Sequence, residues 1–130
     1  MEIGKKVFSG FNGPPIYSGI HTTTAATAVL LASANITDDT GGPIPLARLL
    51  LKDPTVGDFI AHAITFTNQD ATDSIYLDFT GSASASASKF VKKLGPGEYF
   101  EVDGDPIALL KGCSTFPSAN TPAVRIAIWP

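Results

Sequence analysis

Hydrophobic and polar residues alternate most regularly in two neighbouring segments of the chain, residues 60–67 and 74–80. The hydrophobic positions are Ile60, Ile64, Phe66, Ile75, Leu77 and Phe79. The positions between them include Thr65, Thr67, Ser74, Tyr76, Asp78 and Thr80. A period of two residues predicts β-strands with one buried and one solvated face. Because the turn-forming sequence NQDATD separates the two segments, we predict a β-hairpin over residues 60–80.

Two apolar segments before this hairpin have ambiguous patterns. Residues 25–36 form a run rich in small residues, and periodicity alone does not separate a buried strand from a short helix there. We favour a strand because threonines precede the run and the turn sequence TDDTGGP follows it. In residues 44–54 the leucines have helical spacing and Pro45 suits a helix start. A strand that ends before Pro54 fits as well, and we favour the strand.

Turn signals divide the chain after the hairpin. Residues 81–89 alternate serine and alanine between an initial glycine and a final lysine, which leaves little to bury, so we expect a loop at the edge of the sheet. The pair Pro96–Gly97 fits the centre of a type II turn. Asp103–Gly104 suits a tight hairpin turn, after which Pro106 opens a further predicted strand, IALLK.

The final segment, AVRIAIWP, alternates again. We expect its apolar face to point into the core and its other face to point outward. The inward residues are Val124, Ile126 and Ile128, and the outward residues are Arg125, Ala127 and Trp129. Seven to eight short strands with closely spaced turns predict an all-β fold, an antiparallel β-sandwich of jelly-roll or immunoglobulin-like type, or a small barrel.

The first 24 residues have a different character. They contain four glycines, the pair Pro14–Pro15 and the aromatic residues Phe8, Phe11 and Tyr17. A flexible leader is one interpretation, but disordered tails are usually poor in aromatic residues. We therefore predict an extended N-terminal arm over residues 1–24, which docks its aromatic side chains, and a β-sandwich domain over residues 25–130.

Composition narrows the function classes. The chain has 130 residues, enough for one domain with its own core. The net charge of −3 argues against nucleic-acid binding, and the small cluster Lys89, Lys92 and Lys93 does not change that. No apolar run approaches the roughly 20 residues of a membrane helix. With one cysteine and no apolar signal segment near the N-terminus, we expect synthesis in the cytoplasm without an intrachain disulfide.

Few residues suggest chemistry. His62 shares the predicted buried face of the hairpin, so we expect a hydrogen-bonded core histidine, and His21 has no carboxylate near it in sequence. Cys113 lacks an activating neighbour. The acidic pairs fall in turns or on outward faces, and NQDATD lacks the calcium-loop spacing. Two histidines and one cysteine do not make a usual zinc site. We expect no enzymatic activity, no cofactor and no metal.

Three segments together carry a resemblance to a known group of proteins: ITFTNQDATDSIYLDF, LGPGEYFEV and AVRIAIWP. Their order of asparagine turn, strand, proline–glycine turn, strand and closing strand resembles small virion proteins of tailed bacteriophages, especially capsid decoration (cement) proteins. The resemblance covers residues 60–130. It implies a jelly-roll-like or immunoglobulin-like fold, oligomerisation and binding to a capsid lattice, and it carries over no catalytic residues.

The resulting hypothesis is a non-enzymatic capsid decoration protein that bridges neighbouring capsid subunits in the virion. Its expected partners are the major capsid protein or other virion proteins and further copies of itself, without nucleic acid or membrane. We predict Phe11, Tyr17 and Trp129 as protein-contact residues. The alternative is a carbohydrate- or receptor-binding β-module, for example of a tail fibre, with exposed Tyr76, Tyr99 and Trp129 as stacking platforms.

Overall fold

The computed structural model describes residues 15–31, 36–38 and 61–130, and these residues form two antiparallel β-sheets. The five-stranded sheet contains, in spatial order, Ile36–Asp38 (β3), Tyr17–Thr22 (β1), Ala123–Trp129 (β9), Ala63–Asn68 (β4) and Tyr99–Asp103 (β7). The four-stranded sheet contains Val29–Leu30 (β2), Ser114–Pro117 (β8), Ile75–Asp78 (β5) and Lys92–Leu94 (β6). The prediction of an all-β fold with antiparallel, sandwich-like sheets is confirmed.

The hydrophobic core lies between the two sheets. Strands β4 and β9 pair over six positions at the centre of the larger sheet. Their inward residues meet those of β5 from the smaller sheet, and all are fully buried: Ile64, Phe66, Val124, Ile126, Ile128, Ile75 and Leu77. Full burial of one such side chain stabilises the fold by about 1.5–3 kcal/mol. The predicted inward face of the last strand is thereby confirmed.

The predicted hairpin over residues 60–80 is wrong. β4 pairs with β7 and β9, whereas β5 pairs with β6 and β8, so the two strands belong to different sheets. The NQDATD segment crosses from one sheet to the other. The alternation of hydrophobic and polar residues specifies which face of a strand is buried. It does not specify the partner strand, because a hairpin and two strands that face each other across a core both bury that face.

The predicted strand IALLK is also wrong, because Pro106–Lys111 form a short helix, α1. Asp105 caps it, since its Oδ1 accepts a hydrogen bond from the Ala108 backbone N–H at 3.1 Å. Proline is favoured at the first helical position. Ile107 and Leu110 have the three-residue spacing of one helix face, and both are buried. The Asp103–Gly104 pair therefore leads into a helix and does not form a hairpin turn.

The Pro96–Gly97 turn is confirmed. Gly97 has a φ of +73°, and the Glu98 N–H donates to the Gly95 carbonyl oxygen at 3.0 Å, as a type II turn requires. This turn joins β6 to β7, so it carries the chain from an edge of the smaller sheet to an edge of the larger one.

The structure places part of the predicted N-terminal arm within a sheet. Tyr17–Thr22 form β1, which pairs with β9 over six positions and with β3 over three. The sheet therefore begins before the predicted domain boundary at residue 25. Residues 1–14, with Phe11, and the predicted strand in residues 44–54 lie outside the described residues. Within the predicted strand over residues 25–36, the described part contains the two-residue β2 and the first residue of β3.

Candidate protein-contact surface

Two of the three predicted contact residues lie within the described part of the chain. Tyr17 points into the core and is 1% exposed, with its ring over Gly19. Trp129 lies on the outer face of the five-stranded sheet, where it is partly buried and its Nε1 donates to Thr65 Oγ1 at 3.1 Å. Phe11 lies outside the described residues. Tyr17 is thus a core residue in this fold, and Trp129 presents only part of its ring to solvent.

The two histidines differ in burial, and only His62 had a predicted position. His21 is fully buried, and its Nε2 lies 2.7 Å from Thr115 Oγ1, which links β1 to β8 across the core. His62 is exposed, so its prediction as a core histidine is wrong. The reason is that β4 begins at Ala63, which leaves His62 beyond the end of the strand.

The single cysteine offers no activated nucleophile. Cys113 is fully buried, and burial, followed by the negative charge of Asp78, strongly raises the pKa of its thiol. Among the described residues, no group of three or more His, Cys, Asp or Glu side chains lies close enough to hold a metal ion. The same part of the chain contains no helix that is long and apolar enough to cross a membrane.

Two exposed large hydrophobic side chains, Phe90 and Val91, lie next to each other beside the four-stranded sheet. In the described part of the chain, the large hydrophobic side chains with high exposure are Phe90 at 42%, Val91 at 64% and Tyr99 at 42%. Phe90 and Val91 lie at the end of the loop formed by residues 79–91. Together with their neighbours on the outer face of the sheet they make a surface that we call the aromatic patch, which consists of Tyr76, Phe90, Val91, Lys93 and Phe116.

Ring contacts fix the geometry of the aromatic patch. The ring centroids of Tyr76 and Phe90 lie 5.0 Å apart, and the planes are tilted by 49°. Lys93 Nζ lies 5.7 Å from the Tyr76 ring centroid, within the range of a cation–π contact. Register places Tyr76 between Lys93 on β6 and Phe116 on β8. The patch therefore combines apolar area with a positive charge on an ordered sheet.

A polar network holds the loop of residues 79–91 against the same sheet. Asp78 is 3% exposed, and its Oδ2 accepts hydrogen bonds from Ser84 Oγ at 2.5 Å and from Thr80 Oγ1 at 3.0 Å. The N–H groups of Ser84 and Ala85 donate to Ser114 Oγ at 3.3 and 3.1 Å. The sequence correctly predicts a loop here and places Asp78 on the outer face, but the loop covers this carboxylate. Phe90 lies at the end of the same loop, where its ring contacts Tyr76.

The anchoring of this loop is expected to depend on the charge of Asp78. Its pKa is lowered, first by the Ser84 hydrogen bond, so the stabilisation is present above the unfolded pKa near 4. This stabilisation is lost as the pH falls through the pKa of Asp78 in the folded protein, which lies below its pKa in the unfolded chain. Ser84→Ala should raise the Asp78 pKa towards its ordinary value in an NMR titration of the carboxyl carbons. An unchanged Asp78 pKa in this variant would contradict the assignment of the Ser84 hydrogen bond as the main cause of the lowered pKa.

Asp70 provides the internal reference for that titration. The backbone N–H groups of Asp73 and Thr72 lower the Asp70 pKa, and Asp70 Oδ2 accepts them at 2.7 and 3.0 Å. None of these contacts involves Ser84. The Asp70 pKa should therefore be the same in the wild type and in Ser84→Ala, which separates a local effect from a general loss of structure.

The outer face of the five-stranded sheet carries negative charge at its β7 edge, in contrast to the positive charge of Lys93 in the aromatic patch. Tyr99, Glu101 and Asp103 point outward there, because the residues between them pair with the inward positions of β4. Tyr99 Oη donates to Glu101 Oε1 at 3.3 Å. Partial burial, followed by the Glu101 charge, raises the pKa of Tyr99 to about 12. This surface, which we call the acidic edge, combines a neutral phenol with carboxylates.

The residues proposed for sugar stacking do not form one platform. Tyr76 lies on the outer face of the four-stranded sheet, whereas Tyr99 and Trp129 lie on the outer face of the other sheet. On that second face, Tyr99 pairs with Thr67 and Trp129 with Ala63, at opposite ends of β4. The structure thus separates the three rings that the carbohydrate-binding alternative would use.

The sequence pattern showed the lysines of the aromatic patch but did not identify Phe90 and Val91 as contact residues. The available signal was the sequence KFVKK, in which an apolar pair lies between lysines directly after a run of small residues.

In comparisons with known proteins, no protein-family model, no curated protein and no solved structure matches this chain.

Proposed function

We propose that this chain is a non-enzymatic structural subunit that binds other proteins of a larger particle. The observation that supports the proposal is the aromatic patch, in which Phe90 and Val91 remain exposed although ring contacts and a loop network hold their surroundings in place. Contact surfaces between proteins are enriched in aromatic residues at their centres. Contiguous apolar patches on small proteins frequently mark such surfaces.

Order within the patch supports protein binding for an energetic reason. Association costs free energy for every side chain and loop that becomes fixed at the interface. In this chain the Tyr76–Phe90 contact and the anchoring of Ala85 to Ser114 already restrict the patch before any partner binds. A partner would therefore meet an arranged surface, and more of the contact free energy would appear as affinity.

The specific form that we propose is a capsid decoration protein of a tailed bacteriophage. This part of the proposal rests on the sequence resemblance over residues 60–130, and the sandwich-like fold is compatible with it. In this role the sheets supply a rigid body, and the patch contacts a neighbouring protein of the particle, which is either another virion protein or a further copy of this chain. Many copies on one shell would make contacts of modest individual affinity act together.

The proposed function is tested by following the tagged chain during growth of a phage whose genome encodes it. We expect the chain to band with purified particles in a density gradient, at a fixed ratio to the major capsid protein. Phe90→Ser with Val91→Ser should lower the amount on particles by about tenfold or more, because the centre of the contact loses its apolar area.

The matched control is Ala83→Ser with Ala87→Ser. These residues are exposed, lie in the same loop and are not part of the aromatic patch. The control should band with particles as the wild type does. Absence of the wild-type chain from purified particles would overturn the proposed function. Equal binding by the patch variant and the wild type would overturn the role of the patch.

A further inference from the structure

We infer that copies of this chain bind one another head to tail, with the aromatic patch of one copy against the acidic edge of the next. The inference rests on the proposed function, since it names a second copy of the chain as one partner of the subunit. It uses two separate surfaces of the described residues, and each contains one of the two areas of exposed large hydrophobic side chains.

Charge is divided between the two surfaces although the chain as a whole carries only −3. The sequence KFVKK, residues 89–93, contains three lysines and no acidic residue. The sequence EYFEVDGD, residues 98–105, contains four acidic residues and no basic one. Lys89 and Lys93 are both exposed. Lys89 directly precedes Phe90 in the chain, and Lys93 Nζ lies over the ring of Tyr76, which contacts Phe90. The first surface is therefore apolar with a positive surround.

The acidic edge has the complementary character. Tyr99 is 42% exposed and lies on the same face as Glu101 and Asp103. Arg125 is the basic residue on β9 on this face, and its Nη1 donates to Ser18 Oγ at 3.0 Å, on the side of β1 and away from β7. The β7 end of the face thus offers an aromatic ring and carboxylates to a partner that carries apolar area and ammonium groups.

The placement of the surfaces determines the type of contact. The aromatic patch lies on the outer face of the four-stranded sheet, and the acidic edge lies on the outer face of the five-stranded sheet. One copy cannot join its own two surfaces, because the core lies between them. A symmetric contact of patch with patch would place Lys89 and Lys93 against the same lysines, which is unfavourable. Complementarity is satisfied when different surfaces meet, and repetition of such a contact gives a ring or a filament.

Charge reversal tests this inference by sedimentation velocity. The wild type should sediment as species larger than the 13.5 kDa monomer. Lys89→Glu with Lys93→Glu, and separately Glu101→Lys with Asp103→Lys, should each weaken association by about tenfold or more, because like charges then face each other. The control Lys111→Glu changes the charge in the same direction as the lysine variant, at the exposed end of α1, outside both surfaces, and should associate as the wild type does.

Mixing the two charge-reversed variants is the decisive step. One variant carries two acidic surfaces and the other carries two basic surfaces, so an equimolar mixture should recover the association that each has lost. Failure of the mixture to associate, or wild-type association of either variant alone, would overturn the inference. The wild type provides a test that needs no substitution, since its association should weaken when salt rises from about 50 to 500 mM.

The association state of the wild-type chain, compared with its presence on phage particles, separates this inference from the proposed function. A wild-type chain that remains monomeric at about 100 μM, a concentration at which even weak specific contacts are populated, would overturn head-to-tail binding. If that monomer still bands with phage particles, the proposed function stands. If the chain associates with itself but is absent from particles, the inference stands and the proposed function is overturned.

Discussion

Replacement of Asn68 by alanine is expected to lower the free energy of unfolding by about 3–5 kcal/mol, because it removes a fully buried side chain and leaves one buried and two partly buried carbonyl groups without this donor. Asn68 is fully buried at the end of β4. The two N–H groups of its Nδ2 donate to the carbonyl oxygens of Asp73, Leu94 and Gly95 at 2.8, 3.0 and 3.1 Å, so that one N–H is shared between two of them. Its Oδ1 accepts from the Asp70 N–H at 2.9 Å. One side chain thus ties the crossing between the sheets to the turn between β6 and β7.

Asn68→Asp distinguishes the hydrogen bonds from simple loss of volume. Aspartate has nearly the same size, but it would direct a carboxylate oxygen at carbonyl groups that require a donor. We expect a loss at least as large as that of Asn68→Ala near neutral pH, measured by urea unfolding. The control is Asn120→Gly, since Asn120 is exposed, donates to Asp73 Oδ2 at 2.9 Å and has a φ of +52° that glycine adopts without strain. A small effect of Asn68→Asp would show that these bonds contribute little.

Phe66→Ala is the second substitution with a large expected effect, a loss of about 3–5 kcal/mol in the free energy of unfolding. Phe66 is fully buried on β4 at the centre of the core. Its ring centroid lies 6.1 Å from that of Phe79 and 6.2 Å from that of Phe100. Removal of the ring leaves a cavity between the two sheets, which the surrounding strands can fill only in part.

Phe90→Ala is the matched control for this substitution. It removes the same group from a site that is 42% exposed, so we expect a loss of about 1 kcal/mol or less. The two variants should be compared by urea unfolding under identical conditions. Similar losses in both variants would contradict the assignment of Phe66 to the core and Phe90 to the surface. A folded Phe90→Ala variant would also show that the aromatic patch can be changed without loss of the fold.

Local patterns predicted those features that depend on residues near one another in the chain. The alternation of Val124, Ile126 and Ile128 predicted the inward face of β9, because neighbouring side chains of a strand point to opposite sides. Pro96–Gly97 predicted its turn, because the turn depends on the backbone angles of those two residues. The all-β fold class followed from the number and spacing of such signals. The lysine cluster of the candidate surface could also be identified from the sequence, because its members are near one another in the chain.

Tertiary structure alone decided which strands meet and which polar groups are buried. The pattern in residues 60–80 specifies that each of two strands has a buried face, but it does not specify that the strands belong to different sheets. Where β4 and β5 separate, Asn68 contacts the distant carbonyl groups of Leu94 and Gly95. His21 lies in the core because β1 pairs with β9 and brings it to Thr115, 94 positions away in the chain. Phe90 became part of a surface because a loop returns it to Tyr76. By itself the sequence determined the local period and the Pro96–Gly97 turn, whereas pairing over long separations determined the architecture and the candidate surface.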